Sequence, residues 1–589
     1  MNKIDILIAS ITNQSRILFR EHIPSLHADE YKTVLKDVFK IYDSREGVFQ
    51  KPPILSVQNL DFVELIYPFL HYARNIVSNK LDTLYITTTA MDEMEGLLLE
   101  KLSKLSSQTF FLEFSKITGT AFNARGFDAF FEDTDSDCIA ERIKYDEFVG
   151  DFMLNRWSDF FLEYSALAIL MAALTLQWIS MFEKFNDALC KDYSEIRKMF
   201  LNEGSKGNIT SIQAAEHNGL NMEDITLCIT FDHTDKLIYK ARNIDTEKCF
   251  HAFQDWISKQ CEGFPLKSIR MIAGEHYGWE EYVPQRACLT GSEVKRFYIR
   301  AGMVLGLLYV FGSRDMHYNN LIANGEYPIL IDLEALTGLS CDSNVLNTYF
   351  LPANFTLVDG KPEYSNALGA ETVTKSIMKE IQWKFTNTDK MKPIRRNRDI
   401  SPKSVVFYVD KKVYSFLYQE ELLQGFECIY QYIMGHKNAV MEYIYEHFES
   451  CIARIFPRVN ASYLFAVNNA LAPCYLKSGA DRMAIIAKTL DKTLLQHQHI
   501  PEEIIIYELE HLSVNSIPRF YITYGEGVIK EFSEGTMKEL QLKVPMNTVK
   551  ARINRLCGND LEHQKTLIRK AFQDYKTNLS IHETESDYV

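Results

Sequence analysis

Residues 312–336, GSRDMHYNNLIANGEYPILIDLEAL, set the reading of the whole chain. The stretch opens with three polar residues spaced D-x-H-x-x-N, namely Asp315, His317 and Asn320. Leu321-Ile322-Ala323 predicts a short strand, Asn324-Gly325 a reversal, and Ile329-Leu330-Ile331 a second, buried strand. A hairpin of that form carries Asp332 back beside Asp315, with Glu334 close behind. Two carboxylates, an amide oxygen and an imidazole then converge at one end of it.

That inventory suits phosphoryl transfer. One Asp can orient or deprotonate a hydroxyl nucleophile, while an Asn and a second Asp hold Mg²⁺ on nucleotide phosphates. The plainer alternative is a polar loop followed by an ordinary core strand. The spacing, the strand–turn–strand context and the acid–amide inventory together favour the functional reading.

Around this stretch, composition sets the bounds. A chain of 589 residues exceeds one hydrophobic core, so roughly two to four domains are expected. A hydrophobic content of 46% excludes extensive disorder. The net charge of -14 argues against a nucleic-acid-binding surface as the main function. The 11 cysteines are scattered, with no CxxC pair, and read as reduced thiols of a cytoplasmic protein. The N-terminus has an early Asp5 and no apolar signal core, so secretion is not expected. Residues 165–182 approach membrane-span length, but Gln177 interrupts them and Glu163 and Glu183 bracket them. A buried helix, with no membrane span, is the expectation.

Taken in order, the chain divides into a helical N-terminal domain (1–203), a smaller mixed region (204–290), the region carrying the central stretch (291–463) and a helix-rich C-terminal region (464–589). The first has no catalytic constellation. In the second, strand-like runs at 224–231 and 236–242 flank a polar turn. Upstream, residues 215–220 form a candidate phosphate-covering loop with a single glycine. Lys240 lies in the second run, where its charge could reach nucleotide phosphates; a solvated surface lysine is the bland alternative. An amphipathic helix is predicted over 246–259. Residues 277–284 read as a strand leading to a hinge, whose aromatics could line an adenine pocket or simply pack. Residues 293–312 read as a helix feeding the central motif. The basic run at 392–398 is a solvated face or an anchor for phosphate or an acidic peptide. Residues 422–449 are strongly helical. Arg454 and Arg458 stand four apart with Pro457 between them, which argues against one continuous helix and for both guanidinium groups facing a site.

The match then becomes specific. Phe161-Leu162-Glu163-Tyr164, His217-Asn218, Tyr239-Lys240-Ala241-Arg242, Tyr277-Gly278-Trp279, Asp315 through Glu334, Asn387-Thr388-Asp389, Gly425-Phe426, Ile517-Pro518-x-Phe520 and Asp560-Leu561 with Gln564 occur in one order. In that order they resemble the dehydratase part of class II lanthipeptide synthetases, the LanM family, a distant relative of phosphoinositide-type lipid kinases. The resemblance implies an α+β fold: a lipid-kinase-like, two-lobed catalytic core with large helical N-terminal and C-terminal additions. It implies ATP and Mg²⁺ as cofactors and a ribosomal precursor peptide with its leader as partner; whether a separate cyclase works alongside stays open. The implied reaction phosphorylates Ser and Thr side chains and then eliminates phosphate to dehydroalanine or dehydrobutyrine.

In that scheme Lys240, with the His217-Asn218 pair, holds ATP phosphates. Asn320 and Asp332 hold the metal, with Glu334 in support. Asp315 and His317 act around the substrate hydroxyl and in proton handling, and Arg454 helps phosphate leave. This chain departs from the family at three places. Asn460 stands where the family has Thr, six residues after the Arg. Ala214-Ala215-Glu216 replaces a Gly-Asp pair before His217, and the usual Gly-Arg after it is missing. Only Cys557 follows residue 520, so the zinc ligands of the family's C-terminal cyclase are not expected here. Three rivals stay open: a peptide kinase that stops at phosphate, a lipid or small-molecule kinase, and an inactive leader-peptide-binding partner.

Overall fold

The computed structural model describes residues 3–14, 26–44, 60–80, 85–119, 141–215, 220–260, 264–337, 344–353, 355–358, 361–455, 457–458, 460–492, 502–526, 528–531, 540–541 and 545–580. The fold is α+β. Its chain forms two compact units, each assembled from three separated stretches. One comprises Met1–Arg242, Ile381–Arg396 and Pro457–Pro518, and the other Asn243–Glu380, Asn397–Phe456 and Arg519–Val589.

In the first unit, helices Val63–Lys80, Thr88–Thr118 and Ser165–Phe200 enclose an aromatic core. Phe62, Phe110, Phe152 and Phe161 are all buried there and meet through tilted and edge-on ring contacts. Helix Ser165–Phe200 is long and apolar enough to cross a membrane, yet its most apolar window is 83% buried inside the structure. Trp178 on it donates from Nε1 to the Met94 carbonyl at 2.9 Å, and Ser165 donates to the Lys477 carbonyl. It is the buried helix that Gln177 and its acidic flanks predicted.

The strands expected at 224–231 and 236–242 are Thr226–Phe231 and Asp235–Lys240, paired antiparallel. Asp232 and His233 both take positive φ between them, as a tight right-twisted hairpin requires. Ile209–Ala214 adds a third antiparallel strand. The Asn387 motif serves this unit as a clamp. Its side chain accepts from the Phe62 amide at 2.9 Å and the Tyr145 hydroxyl at 2.8 Å, and donates to the Leu60 carbonyl at 2.7 Å.

In the second unit, helix Gly291–Phe311 is capped by Thr290 at its start and by Gly312, φ 72°, at its end. That left-handed conformation favours glycine, and the guanidinium of Arg552 lies against it and donates to the Phe311 carbonyl. Helix Gln419–Gly435 crosses at near backbone contact. Cβ atoms built on Gly302 and Gly425 would lie 1.9 and 1.7 Å from carbonyl oxygens of the facing helix. The helical stretch predicted over 422–449 is two helices, with His436 between Gln419–Gly435 and Lys437–Phe448.

Strands escaped the reading of the C-terminal region as helix-rich. Phe520–Thr523 pairs antiparallel with Ile452–Ile455 on one side and Val528–Glu531 on the other, and Leu540–Gln541 closes the sheet. These strands are two to four residues long, too short for alternation to register against helical neighbours. The predicted strand at 277–284 is Gly278–Glu281, and its Trp279 is fully buried core. The basic run is a strand, Lys392–Asp399, with Pro393 and Ile394 buried and Arg395 and Arg396 exposed.

Candidate active site

The central hairpin forms where its sequence predicts, with the reversal one residue later than Asn324-Gly325 because Asn324 still pairs with Tyr327. Leu321–Asn324 pairs antiparallel with Tyr327–Leu330, and Gly325-Glu326 forms the two-residue turn. Leu321 faces Leu330, so Asn320 faces Ile331, and the Ile331 amide donates to the Asn320 carbonyl at 3.1 Å. One residue further on the chain reaches Asp332. The register therefore returns the second carboxylate to the D-x-H-x-x-N loop.

The loop is held from within and from outside. The Asp315 carbonyl accepts from the His317 amide at 3.0 Å and from Asn320 Nδ2 at 2.8 Å. Backbone bonds from Met316 to Thr348, Tyr318 to Ser365 and Ala367 to Met316 clamp it on both sides of His317. Asn320 is buried. Beneath the hairpin, buried His251 on helix Asp245–Ser258 places Nε2 3.2 Å from the Leu330 carbonyl. Asp315 and His317 keep 41% and 37% of their side-chain surface open, so a substrate can reach both.

Electrostatics link the acidic groups. Crowding by surrounding protein raises Asp315 from 3.8 to about 7, the charge of Asp332 adds to the rise, and Arg454 opposes it. His317 Nδ1 accepts from the Asn319 amide at 3.2 Å, which puts the proton of the neutral ring on Nε2. That nitrogen lies 3.9 Å from Oδ1 of Asp315.

Arg454 enters on strand Ile452–Ile455. Its Nη1 lies 2.8 Å from Oε1 of Glu334, and its amide donates to the Glu334 carbonyl at 2.8 Å. Their side chains are only 7% and 14% exposed. No spacing rule could pair residues 120 positions apart. Arg458 departs from the sequence expectation. In the first unit its Nε meets both carboxylate oxygens of Glu508, at 3.0 and 2.9 Å, and Nη1 donates to the Leu490 carbonyl. It is a core ion pair. The break at Pro457 did separate the two arginines, but onto different structures.

The structure thus gathers Asp315, His317, Asn320, Asp332, Glu334 and Arg454 within the second unit. Lys240 ends a strand of the first unit and is buried. Asn460 begins helix Asn460–Asn469 of that unit. His217 and Asn218, with most of the candidate phosphate loop, lie outside the described residues, as does the polar end at 582–589.

Comparison with known proteins now adds to the geometry. Residues 164–523 match the family described as "Domain of unknown function (DUF4135)". The chain belongs to the DUF4135 family. A relative by sequence is the "Lacticin 481/lactococcin biosynthesis protein LcnDR2" of Lactococcus lactis subsp. lactis, 25% identical over 418 residues. The match covers 65% of this chain and 43% of that protein, so the chain spans less than half of its relative. The resemblance to the LanM lanthipeptide synthetases drawn from the motifs is borne out by this match. The whole hairpin stretch, Arg454 and Asn460 fall inside the DUF4135 region.

Proposed function

We propose that this DUF4135 chain acts in lanthipeptide biosynthesis as a dehydratase. It phosphorylates Ser and Thr side chains of a ribosomal precursor peptide from ATP, then eliminates phosphate to leave dehydroalanine or dehydrobutyrine. One observation carries the reading. Asp315, whose carboxyl is raised toward neutral pH, lies within electrostatic reach of an arginine seated on a glutamate, Arg454 on Glu334. The first suits a proton acceptor, and the second suits a phosphate leaving group. A two-lobed, lipid-kinase-like arrangement belongs to the same proposal.

The donor set fits Mg²⁺ carried on ATP. That ion uses one or two carboxylates plus phosphate oxygens rather than an all-protein cage. Asn320 turns Nδ2 to the Asp315 carbonyl, which reserves its amide oxygen for a cation, and Asp332 supplies the carboxylate. When bound, the ion supplies positive charge against the triphosphate.

Asp315 accepts the proton of the substrate hydroxyl as its oxygen takes the phosphoryl group; a pKa close to the working pH suits a group that must both take and release a proton. In the second step a base removes the Cα proton. Those electrons form the Cα=Cβ bond while the Cβ–O bond breaks and phosphate leaves with its electron pair. His317, beside Asp315, handles the proton. Arg454 has five donors on a planar fork and can grip Glu334 and a phosphate oxygen together. In this reading, as the resemblance implies, Lys240, His217 and Asn218 hold nucleotide phosphates and Asn460 the departing phosphate. Asn460 replaces the family's Thr hydroxyl with an amide, which favours as second reading a kinase that stops at phosphopeptide.

Asp332→Asn tests catalysis against scaffolding. Lost turnover with retained precursor-peptide binding supports the reading. Unchanged function would leave only a peptide-binding role.

A further inference from the structure

Cys249 and Cys451 are 202 positions apart, yet their sulfurs lie 3.2 Å from each other. Cys249 sits on helix Asp245–Ser258, partly open to solvent, and Cys451 is buried immediately before strand Ile452–Ile455. The two elements are already joined, since Thr246 Oγ1 donates to the Ile452 carbonyl at 2.7 Å. The His447 carbonyl lies 3.2 Å from one sulfur and 3.5 Å from the other. We infer that Cys249 and Cys451 form a reversible thiol–disulfide pair whose oxidant is a low-molecular-weight disulfide.

Geometry and chemistry agree on the order of events. A disulfide needs its sulfurs at about 2.05 Å, a closure of roughly 1.2 Å from the observed separation. Only Cys249 is open to an incoming reagent. The Cys451 thiol donates its hydrogen bond to Cys249, which lowers the pKa of Cys249 and raises that of Cys451. Cys249 is therefore the entering nucleophile.

As a thiolate it attacks one sulfur of the external disulfide, forms a mixed disulfide and releases one thiolate. Cys451 then gives up its proton and attacks the Cys249 sulfur, expelling the second thiolate. Two protein thiols lose two electrons and two protons, and one external disulfide becomes two thiols. The bond would tie helix Asp245–Ser258 to the strand that presents Arg454 three residues later. The inference is independent of the reaction proposed above.

The test treats the full chain with graded ratios of oxidised to reduced glutathione, blocks remaining thiols by alkylation, and maps peptides by mass. The expected product joins the Cys249 and Cys451 peptides, is lighter by two hydrogens, and reverts with dithiothreitol. Cys451→Ser should trap a glutathione adduct on Cys249, and Cys249→Ser should leave Cys451 reduced. The unmodified chain decides even where a variant misfolds. A persistent adduct on Cys249 with Cys451 still alkylated, pairing of Cys249 with a different cysteine, or no oxidation of either residue overturns the inference.

Discussion

Replacing Glu334 with Gln separates the two chemical steps. The 2.8 Å contact from Arg454 to Glu334 lies between side chains 7% and 14% exposed, so it is made with little water present. A hydrogen bond to a charged partner contributes about 1.5–3 kcal/mol, against about 0.5–1.5 for a neutral one. Glutamine keeps an acceptor for a guanidinium that stays charged, so the bond falls from two ionised partners to one, a loss of roughly 1–2 kcal/mol. At 1.4 kcal/mol per factor of ten, Arg454 would leave its seat about 5- to 30-fold more often. The backbone bond from Arg454 to the Glu334 carbonyl survives the substitution, so the strand should stay in place. Elimination should slow by about tenfold while phosphorylation changes by less than about threefold. Time-resolved intact-mass analysis of the peptide would then show phosphopeptide building up before dehydrated product. Equal slowing of both steps would refute this reasoning and place Glu334 with the metal instead.

Other predictions follow from the same contacts. Because Asp315 rises from 3.8 to about 7, the folded chain holds a proton there between roughly pH 4 and 7 that the unfolded chain has released. Its contribution to stability is therefore present at low pH and lost as pH rises through 7, while the phosphorylation rate climbs as the carboxylate forms; unfolding curves and pH–rate profiles should run in opposite directions. Asn387→Ala removes three side-chain hydrogen bonds of a buried residue and should cost about 2–4 kcal/mol in denaturant unfolding. Gly425→Ala drives a Cβ to 1.7 Å from the Ile299 carbonyl, and should cost at least about 1–3 kcal/mol, read as a lowered melting temperature.

What the sequence revealed and what it hid divide along physical lines. The hairpin was legible because its information is local: a turn signal between two apolar runs folds the chain back, and the hydrogen-bonded loop from Asp315 to Asn320 then brings Asp315 toward the returning Asp332. Helix Gly291–Phe311 was legible for the same reason, with its cap and its Gly312 stop both written in neighbouring residues. The buried fate of residues 165–182 followed from Gln177 and the acidic flanks. Arg454 meeting Glu334, Arg458 meeting Glu508 and Cys249 meeting Cys451 depend on how distant stretches pack, and no periodicity encodes them. The two units interleave along the chain, an arrangement invisible to shifts in composition. Asn387 read only as part of a motif; its positive φ and three bonds show why that position takes an asparagine.

Mass analysis of a leader-bearing precursor peptide, incubated with this chain, ATP and Mg²⁺, tests the central claim most directly. The account predicts loss of water at Ser or Thr, with phosphopeptide as the intermediate. Stable phosphopeptide would confine this chain's activity to the first step, with elimination lost or carried out by a partner. An unchanged mass, with peptide binding shown separately, would contradict catalysis on that peptide altogether.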